Sequence, residues 1–249
     1  MYTDTHCHIF KDSYENLDQI IKELAENNIK RIIVNGYNYK TNLEVLELVN
    51  KYDNVYGALG MHPSYLDEGF DESITLIEKN INNKKLIAIG EIGLDYYRSS
   101  ENKEKQLDCF IKMLELAKEY EKPVIIHNRD STQDMIKTLK KYQLKGIMHC
   151  FSSSHEVANE FIKMGFKLGI NGIITFKNSK LSEVIKKVSV DDILLETDSP
   201  YISPEPYRKY QNEPKRINEV AKKVANTYKI SEKVLAEKVE KNLLELFDF

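Results

Sequence analysis

The chain opens with the stretch TDTHCH, residues 3–8, whose β-branched and aromatic neighbours are typical of a strand. Successive side chains on a strand point to opposite faces, so His6 and His8 point the same way and Cys7 points the other way. Two imidazoles held side by side by rigid backbone form half of a metal site, and the other ligands must come from later in the chain. The alternative is that both histidines only pack at a strand end, against water or a backbone partner.

Short apolar runs alternate with longer segments of helical period over all 249 residues, which predicts a parallel sheet with crossover helices. Eight strands, each followed by a helix, close a TIM barrel, and about 250 residues is its usual length. A doubly wound open sheet is the competing architecture, but its Gly-x-Gly-x-x-Gly fingerprint does not follow the first strand. We therefore predict one domain over residues 1–249, with the α/β fold of a (β/α)8 TIM barrel. The predicted strands span residues 2–5, 31–35, 55–59, 86–89, 124–127, 146–149, 166–169 and 193–195.

The helical segments give further detail. Ser131 and Ser154 precede amphipathic segments, so we predict that they cap the helices that begin there. After the eighth strand, one amphipathic segment is followed by another over residues 231–246. We expect this additional C-terminal helix to close the outer wall of the barrel.

The composition limits the possible partners and compartments. Lys and Arg number 36 against 39 Asp and Glu, a formal net charge of -3, whereas a general nucleic-acid binder is usually basic. Any contact with phosphates is therefore expected to be local. Three scattered cysteines without a Cys-x-x-Cys spacing are typical of reduced thiols. No apolar run approaches the roughly 18 residues of a membrane span, and no signal-peptide pattern is present, so we expect a soluble, cytoplasmic protein and a monomer.

Polar residues collect where the predicted strands end. In a parallel barrel the loops after the strands converge on one mouth, so residues at these positions come together. Five of the six histidines and several acids stand there, whereas chance would scatter them over both ends of the barrel and the helices. The residues that suffice for two divalent ions, if one carboxylate bridges, are His6, His8, Glu91, His127, His149 and Asp198.

Each of these residues has a structural interpretation when it is taken alone. Glu91 could be an acid of the barrel interior paired with a lysine, and His127 or His149 could be a core histidine bound to a carbonyl group. Glu196 and Asp198 share a face if strand eight continues, so their spacing leaves open which of them is the ligand.

Several motifs resemble the signatures of the TatD-type metal-dependent deoxyribonucleases, within the amidohydrolase-like barrels. They occur in the family's order and at family-like separations, from residue 3 to the NEP segment at residues 212–214 and on into the final helices. The motifs are THCH (5–8), GMHP (60–63), GEIGLDY (90–96), PVIIH (123–127), HCF (149–151) and ETDSPY (196–201).

The resemblance implies a TIM barrel that holds two divalent metal ions and hydrolyses DNA phosphodiester bonds, often by removing nucleotides from a 3′ end. It also favours Asp198 over Glu196 as a ligand. By resemblance, one ion is held by His6, His8 and Asp198 and the other by His127 and His149, Glu91 bridges the two, and His62 stands at the substrate.

The chain departs from the family pattern at two places. Many members have an acid where this chain has Phe10. Before the NEP segment, many members read Arg-Gly-Lys plus one more residue, whereas this chain has RKYQ at residues 208–211. The second departure concerns contacts to the nucleic-acid backbone more than the metal site.

Hydrolysis of DNA at such a site needs an activated water and neutralised phosphoryl oxygens. We expect Asp198 to act as general base as well as ligand. Arg129 and Arg208 are candidate phosphate contacts, because a guanidinium matches phosphate bidentately, but both could equally form surface salt bridges. Zn²⁺, Mn²⁺, Ni²⁺ or Fe²⁺ suit so many imidazoles better than Mg²⁺ does. The tyrosines that could stack unpaired bases, or only pack in the loops, are Tyr96, Tyr97, Tyr201, Tyr207 and Tyr210.

Two other functions fit the same residues. Relatives of this family include enzymes that remove D-amino acids from tRNA, so a metal-dependent amidohydrolase or esterase is an alternative. The end of strand four lacks the lysine that forms a carbamylated bridge in many amidohydrolases, which favours the nuclease. A barrel that binds metal or nucleic acid without catalysis is less consistent with a complete ligand set.

Overall fold

Eight parallel strands follow one another in sequence order around a nearly closed barrel in the computed structural model, which describes residues 1–249. Helices alternate with the strands, so the predicted (β/α)8 TIM barrel is confirmed. The strands are β1 Tyr2–Cys7, β2 Ile29–Asn35, β3 Val55–Leu59, β4 Leu86–Asp95, β5 Val124–Arg129, β6 Gly146–Met148, β7 Phe166–Ile170 and β8 Ile193–Leu195. The α-helices are α1 Leu17–Lys22, α2 Tyr39–Lys51, α3 Phe70–Asn80, α4 Lys103–Glu119, α5 Thr132–Leu139, α6 His155–Lys163, α7 Leu181–Ile185, α8 Ile217–Tyr228 and α9 Glu232–Leu244.

All eight predicted strands are present, and three of them continue beyond their apolar runs. β1 continues to Cys7, β4 to Asp95 and β5 to Arg129, whereas the sequence pattern ended these strands at residues 5, 89 and 127. The extensions carry polar side chains, among them His6 and Glu91, which are buried at the mouth of the barrel. Hydropathy does not identify such residues as strand, because their partners come from other strands.

The barrel closes between β1 and β8 without a regular ladder of backbone pairs. At the mouth, the Asp198 N–H donates to the His6 carbonyl at 2.9 Å and the His8 N–H donates to the Ser199 carbonyl at 2.6 Å. Below them, the fully buried Asp4 carboxylate accepts from the N–H and the hydroxyl of Thr197, at 2.8 and 2.5 Å. These bonds hold the His-x-His pair beside the segment that carries Asp198.

The hydrophobic core has two parts. The larger part lies between the strands and the surrounding helices. The smaller part lies inside the barrel and includes Ile125, Ile147 and Leu194, each of which precedes a polar residue of the mouth by two positions and so shares its face. Leu243 and Phe247, from the C-terminal end of the chain, belong to this inner cluster.

The additional C-terminal helix is therefore confirmed, but its position is only partly as predicted. α9 contacts α8, β1 and β8, as a helix of the outer wall would. The residues at and after its end also cover the N-terminal opening of the barrel, because Phe247 is 3% exposed among inward-facing strand residues. The apolar periodicity of a helix does not show which opening of the barrel lies beyond the end of that helix.

One of the two predicted caps is wrong. The Val157 N–H donates to the Ser154 hydroxyl at the start of α6, as predicted. Ser131 stands at the N-cap position of α5 but makes no such bond. Its hydroxyl lies 2.7 Å from Asn128 Oδ1 and 3.0 Å from the Leu94 carbonyl, and its single proton can go to either acceptor. Ser131 thus links β4 to the loop after β5, where both strands carry residues of the mouth.

None of the helices combines the length and the apolar character that crossing a membrane requires.

We expect Phe247→Ala to lower the free energy of unfolding by about 3–5 kcal/mol, because the change empties a buried site at the base of the barrel. Phe249→Ala is the matched control. The Phe249 ring is 40% exposed and contacts Arg31 and Tyr56, so its loss should cost about 1 kcal/mol. Urea unfolding followed by circular dichroism measures both values. Equal losses of unfolding free energy would show that Phe247 does not cover the N-terminal opening of the barrel as described.

Candidate metal centre

The polar residues predicted at the strand ends meet at the C-terminal end of the barrel. They come from β1, β4 and β5 and from the segments that follow β1, β3, β6 and β8. Within this cluster, four groups of three ligand atoms each lie within 4.8 Å of one another. The groups are His6, His149 and Asp198; His6, His8 and Glu91; Glu91, His127 and His149; and His62, Asp95 and His127.

The Glu91 carboxylate lies at the centre of the cluster. Its Oε2 atom is 3.6 Å from His6 Nε2 and 3.3 Å from His8 Nε2. Its Oε1 atom is 3.0 Å from His127 Nδ1 and 3.9 Å from His149 Nε2. Burial alone would raise the pKa of Glu91, but the surrounding histidines hold that pKa well below its usual value. The ionised carboxylate therefore presents one oxygen to each half of the cluster.

The rings of His8 and His127 are each fixed by an acceptor on the side of the ring that faces away from Glu91. His8 Nδ1 lies 2.8 Å from the Asn35 carbonyl, and His127 Nε2 lies 3.2 Å from Asp95 Oδ2. A carbonyl or carboxylate oxygen only accepts, so each of these nitrogens carries a proton. In the neutral ring the other nitrogen then has a free lone pair, and in both residues that nitrogen faces Glu91.

The His149 ring forms a close ion pair with Glu196 on its outer side. His149 Nδ1 is 2.9 Å from Glu196 Oε1. The same oxygen accepts from the Cys150 N–H at 2.8 Å and from Asn171 Nδ2 at 3.2 Å. Burial lowers the pKa of His149, but Glu196 and then Asp198 outweigh it and raise the pKa to about 10. Glu196 thus stands behind His149, on the side away from the cluster.

Asp198 lies on the opposite side of His149, within the cluster. Its Oδ1 atom is 3.5 Å from His8 Nε2 and 3.8 Å from both His6 Nε2 and His149 Nε2. Burial raises the pKa of Asp198 to about 6, against the lowering effect of His149 and His8. The structure thus separates the two acids, Glu196 and Asp198, that strand spacing alone left equivalent.

The donor set fits divalent cations. His6 Nε2 and His8 Nε2 lie 3.0 Å apart, a distance at which either a proton or a cation must separate their lone pairs. Burial, and then the charge of His149, keep the pKa of His6 well below its usual value, so His6 is neutral. Carboxylate oxygens of Glu91 and Asp198 lie within 3.8 Å of the same two nitrogens. Imidazole nitrogen with carboxylate oxygen is a typical ligand set for Zn²⁺, Mn²⁺, Fe²⁺ and Ni²⁺.

His62 differs from the other histidines of the cluster. The Ser64 N–H donates to His62 Nδ1 at 3.0 Å, so the proton of the neutral ring is on Nε2. That nitrogen lies 3.8 Å from Glu91 Oε1. Burial, and then His127, lower the pKa of His62 to about 3. His62 therefore presents an N–H donor to the cluster, whereas His8 and His127 can present a lone pair there when their rings are neutral.

The two arginines predicted as phosphate contacts lie outside the cluster. The Arg129 guanidinium stacks on the Tyr97 ring, 3.7 Å from its centroid. The Arg208 guanidinium stacks on Phe176 at 3.8 Å and donates to the Ser203 carbonyl at 2.9 Å. Neither arginine forms a salt bridge with a carboxylate, so the predicted role as a surface salt-bridge partner has no support in the structure.

Three residues at the site were missed by the sequence reasoning: Asp95, Tyr37 and Tyr65. The Tyr65 ring lies 5.9 Å from that of His62. Asp95 stood in a quoted motif without a role, although its position four residues after Glu91 on one strand places both on the same face. Tyr37 lies directly after β2, and its ring is 5.4 Å from that of His8 and 5.6 Å from that of Phe10. No sequence signal distinguished Tyr37 from the other tyrosines of the chain.

Comparisons with known proteins agree with this geometry. A family model described as TatD related DNase matches residues 3–248. An uncharacterized metal-dependent hydrolase of Bacillus subtilis, YabD, is 37% identical over 99% of both chains. The crystal structure of YJJV, a TatD homolog from Escherichia coli, has a TM-score of 0.93 at 29% identity and covers 100% of this chain and 98% of its own. A TatD family hydrolase from Entamoeba histolytica has a TM-score of 0.88 at 26% identity, over 99% of this chain and 97% of its own.

We expect nitrogen NMR of the metal-free protein to distinguish the histidines. At pH 7, His62 should be neutral with its proton on Nε2, and His149 should carry two protons, since their pKa values are about 3 and about 10. His62 should remain neutral down to pH 5. Because its folded pKa lies below the unfolded value of about 6.5, its contribution to stability is lost as the pH falls from about 6.5 toward about 3.

The same spectra in urea provide the control, since all six histidines of the unfolded chain should titrate near about 6.5. A folded-state titration of His62 near that value would contradict the assigned proton position and the donor role.

Proposed function

Because the chain belongs to the TatD-related DNase family of metal-dependent hydrolases, we propose that it hydrolyses DNA phosphodiester bonds. The finer proposal is a 3′ to 5′ exonuclease that acts on single strands. The observation that carries the proposal is the ionised, buried Glu91 carboxylate, which presents one oxygen to the histidines of β1 and the other to His127 and His149.

The ligands of two divalent ions are assigned accordingly. His6, His8 and Asp198 would hold one ion, His127 and His149 the other, and Glu91 would bridge them. When bound, such ions polarise a phosphoryl group and lower the pKa of a coordinated water. The outer partners of His8, His127 and His149 leave the second nitrogen of each ring on the inner side, where it would become a ligand once an ion displaces any proton that it carries.

The remaining residues of the cluster handle protons and the phosphoryl oxygens. We infer that Asp198 would accept a proton from the attacking water, because its carboxylate lies in the cluster at the mouth and that of Glu196 does not. His62 would donate a hydrogen bond from Nε2 to a phosphoryl oxygen. Because His62 Nδ1 accepts from the Ser64 N–H, the proton of the neutral ring has to be on Nε2. Because His62 resists protonation, it can act as a neutral donor over a wide pH range.

Recognition of the strand fits the shape and charge of the mouth. The central residues are recessed, with Glu91 4% exposed and His6 fully buried, so the end of an unpaired strand can enter more readily than a duplex. Arg129 and Arg208 are proposed to contact flanking phosphates, since neither is neutralised by an acid. With a net charge of -3, the chain has no general attraction for nucleic acid, and such contacts have to be local.

We expect Glu91→Gln to lower cleavage of a labelled single-stranded oligonucleotide by more than about 100-fold, since even partners behind a ligand affect affinity or activity by 10–100-fold. The amide keeps the size of the side chain and removes the charge that both halves of the site share. The assay compares rates with added Mn²⁺, Zn²⁺ and Mg²⁺. Glu156→Gln, an exposed change on α6, should leave the rate unchanged.

Undiminished cleavage by Glu91→Gln would remove the bridging role. Release of the amino acid from a D-aminoacyl-tRNA by the wild-type protein, with no cleavage of the oligonucleotide under any metal, would replace the nuclease by an esterase at the same site.

We expect Glu196→Gln and Asp95→Asn each to weaken metal binding by about 10–100-fold, because each carboxylate fixes the ring of one histidine. Isothermal titration of the metal-free proteins with Mn²⁺ or Zn²⁺ measures the change. Asp130→Asn, an exposed change next to Arg129, should bind as the wild type does. Wild-type affinity in both variants would show that the rings are oriented by packing alone.

A further inference from the structure

One side of the mouth is lined by aromatic rings, which we call the aromatic wall and define as Phe10, Tyr37, Tyr65 and Tyr201. The Tyr37 and Tyr65 rings lie 4.9 Å apart at an interplanar angle of 31°, and Phe10 meets Tyr37 edge-on at 5.6 Å. Tyr37 and Tyr201 each pack edge-on against His8, at 5.4 and 6.0 Å. The wall is therefore in direct contact with one proposed metal ligand.

The aromatic wall also borders the proposed donor to the phosphoryl group. The Tyr65 ring lies 5.9 Å from that of His62. The backbone fixes this neighbourhood, because the His62 N–H donates to the Tyr37 carbonyl at 3.0 Å and the Tyr65 N–H donates to the His62 carbonyl at 2.9 Å. The wall thus spans the distance between His8 and His62, where a bound phosphodiester would lie.

The outer part of the aromatic wall is free to contact a ligand. Phe10 is buried, whereas Tyr201 is 52% exposed and Tyr37 and Tyr65 are partly exposed.

The three hydroxyls of the wall make no hydrogen bond within the chain. Some other tyrosines do: the Tyr14 hydroxyl donates to the Asn212 carbonyl, and the Tyr96 hydroxyl donates to Asp134. Tyr142, at the opposite end of the barrel, likewise donates to Glu115. The hydroxyls of the aromatic wall are therefore free to bond to a ligand.

We propose that the aromatic wall is a subsite on which an unpaired base of the substrate stacks. The base belongs to the nucleotide whose phosphate would lie at the cluster around Glu91. This inference rests on the proposed function and adds the part of the substrate that is recognised. Every base has a flat π-face, so stacking on tyrosine is strong and tolerant of sequence. A paired base cannot offer that face, and the subsite would therefore select single strands and frayed ends.

The test compares two single-stranded oligonucleotides that differ only in the presence of the base at the nucleotide to be cleaved. Loss of that base should raise KM for the wild-type protein by about 5–100-fold. Tyr65→Ala and Tyr201→Ala should raise KM for the intact oligonucleotide within the same range, with kcat little changed. On the abasic oligonucleotide, these variants and the wild type should have similar KM values.

Controls separate stacking from a general disturbance of the mouth. Tyr65→Phe and Tyr201→Phe keep the ring and should bind the intact oligonucleotide nearly as the wild type does. Tyr142→Ala, far from the mouth, should behave as the wild type with both oligonucleotides. If the alanine variants raise KM equally for the intact and the abasic oligonucleotide, the stacking subsite is wrong.

A binding measurement keeps this inference distinct from the proposed function. Fluorescence anisotropy with the Glu91→Gln background reports affinity for the same two oligonucleotides without requiring cleavage. If the wild type cleaves neither, the proposed nuclease fails, and the subsite still stands if base-dependent binding is lost with Tyr201→Ala. Binding that is the same with and without the base overturns the subsite.

Discussion

The site depends on one constraint: to bind cations, several imidazoles must each have a nitrogen free to become a ligand on the side that faces a single buried carboxylate. A neutral ring has one lone pair, so its other nitrogen needs an acceptor on the far side. The Asn35 carbonyl, Asp95 and Glu196 provide these acceptors for His8, His127 and His149. His62 has a donor as its partner, the backbone N–H of Ser64, so the other nitrogen of its neutral ring carries the proton and can donate it in a hydrogen bond. The proton positions of His8, His127 and His62 are thus decided by an atom on the outer side of each ring.

The fold supplies this arrangement because the acceptors belong to the frame of the barrel. Asn35 ends β2, Asp95 ends β4, and Glu196 directly follows β8, where it is fully buried between Cys150 and Asn171. The missing ladder between β1 and β8 is replaced by backbone bonds at the mouth and by Asp4 below them. The bonds that close the barrel are therefore the same bonds that hold His6 and His8 beside Asp198.

Most of the fold and the membership of the cluster can be predicted from sequence, because both follow from local patterns. The apolar runs give the eight strands, and residues at their ends must share a mouth. A local pattern does not show on which side of a residue its neighbours from other strands lie. Glu196 and Asp198 are equivalent by spacing and differ only because His149 stands between them. Tyr37 and Tyr65 were missed for the same reason, since only the folded chain brings them to His8 and His62.

The departure at Phe10 is consistent with the aromatic wall. By resemblance, many family members carry an acid at this position, whereas here the side chain is 2% exposed and contacts the rings of Tyr37 and His8. A carboxylate buried against Tyr37 without a partner would be strongly unfavourable. Phenylalanine at position 10 and tyrosine at position 37 are therefore compatible in a way that an acid and Tyr37 are not. The change leaves the metal ligands intact and alters the surface beside them, where a substrate would be recognised.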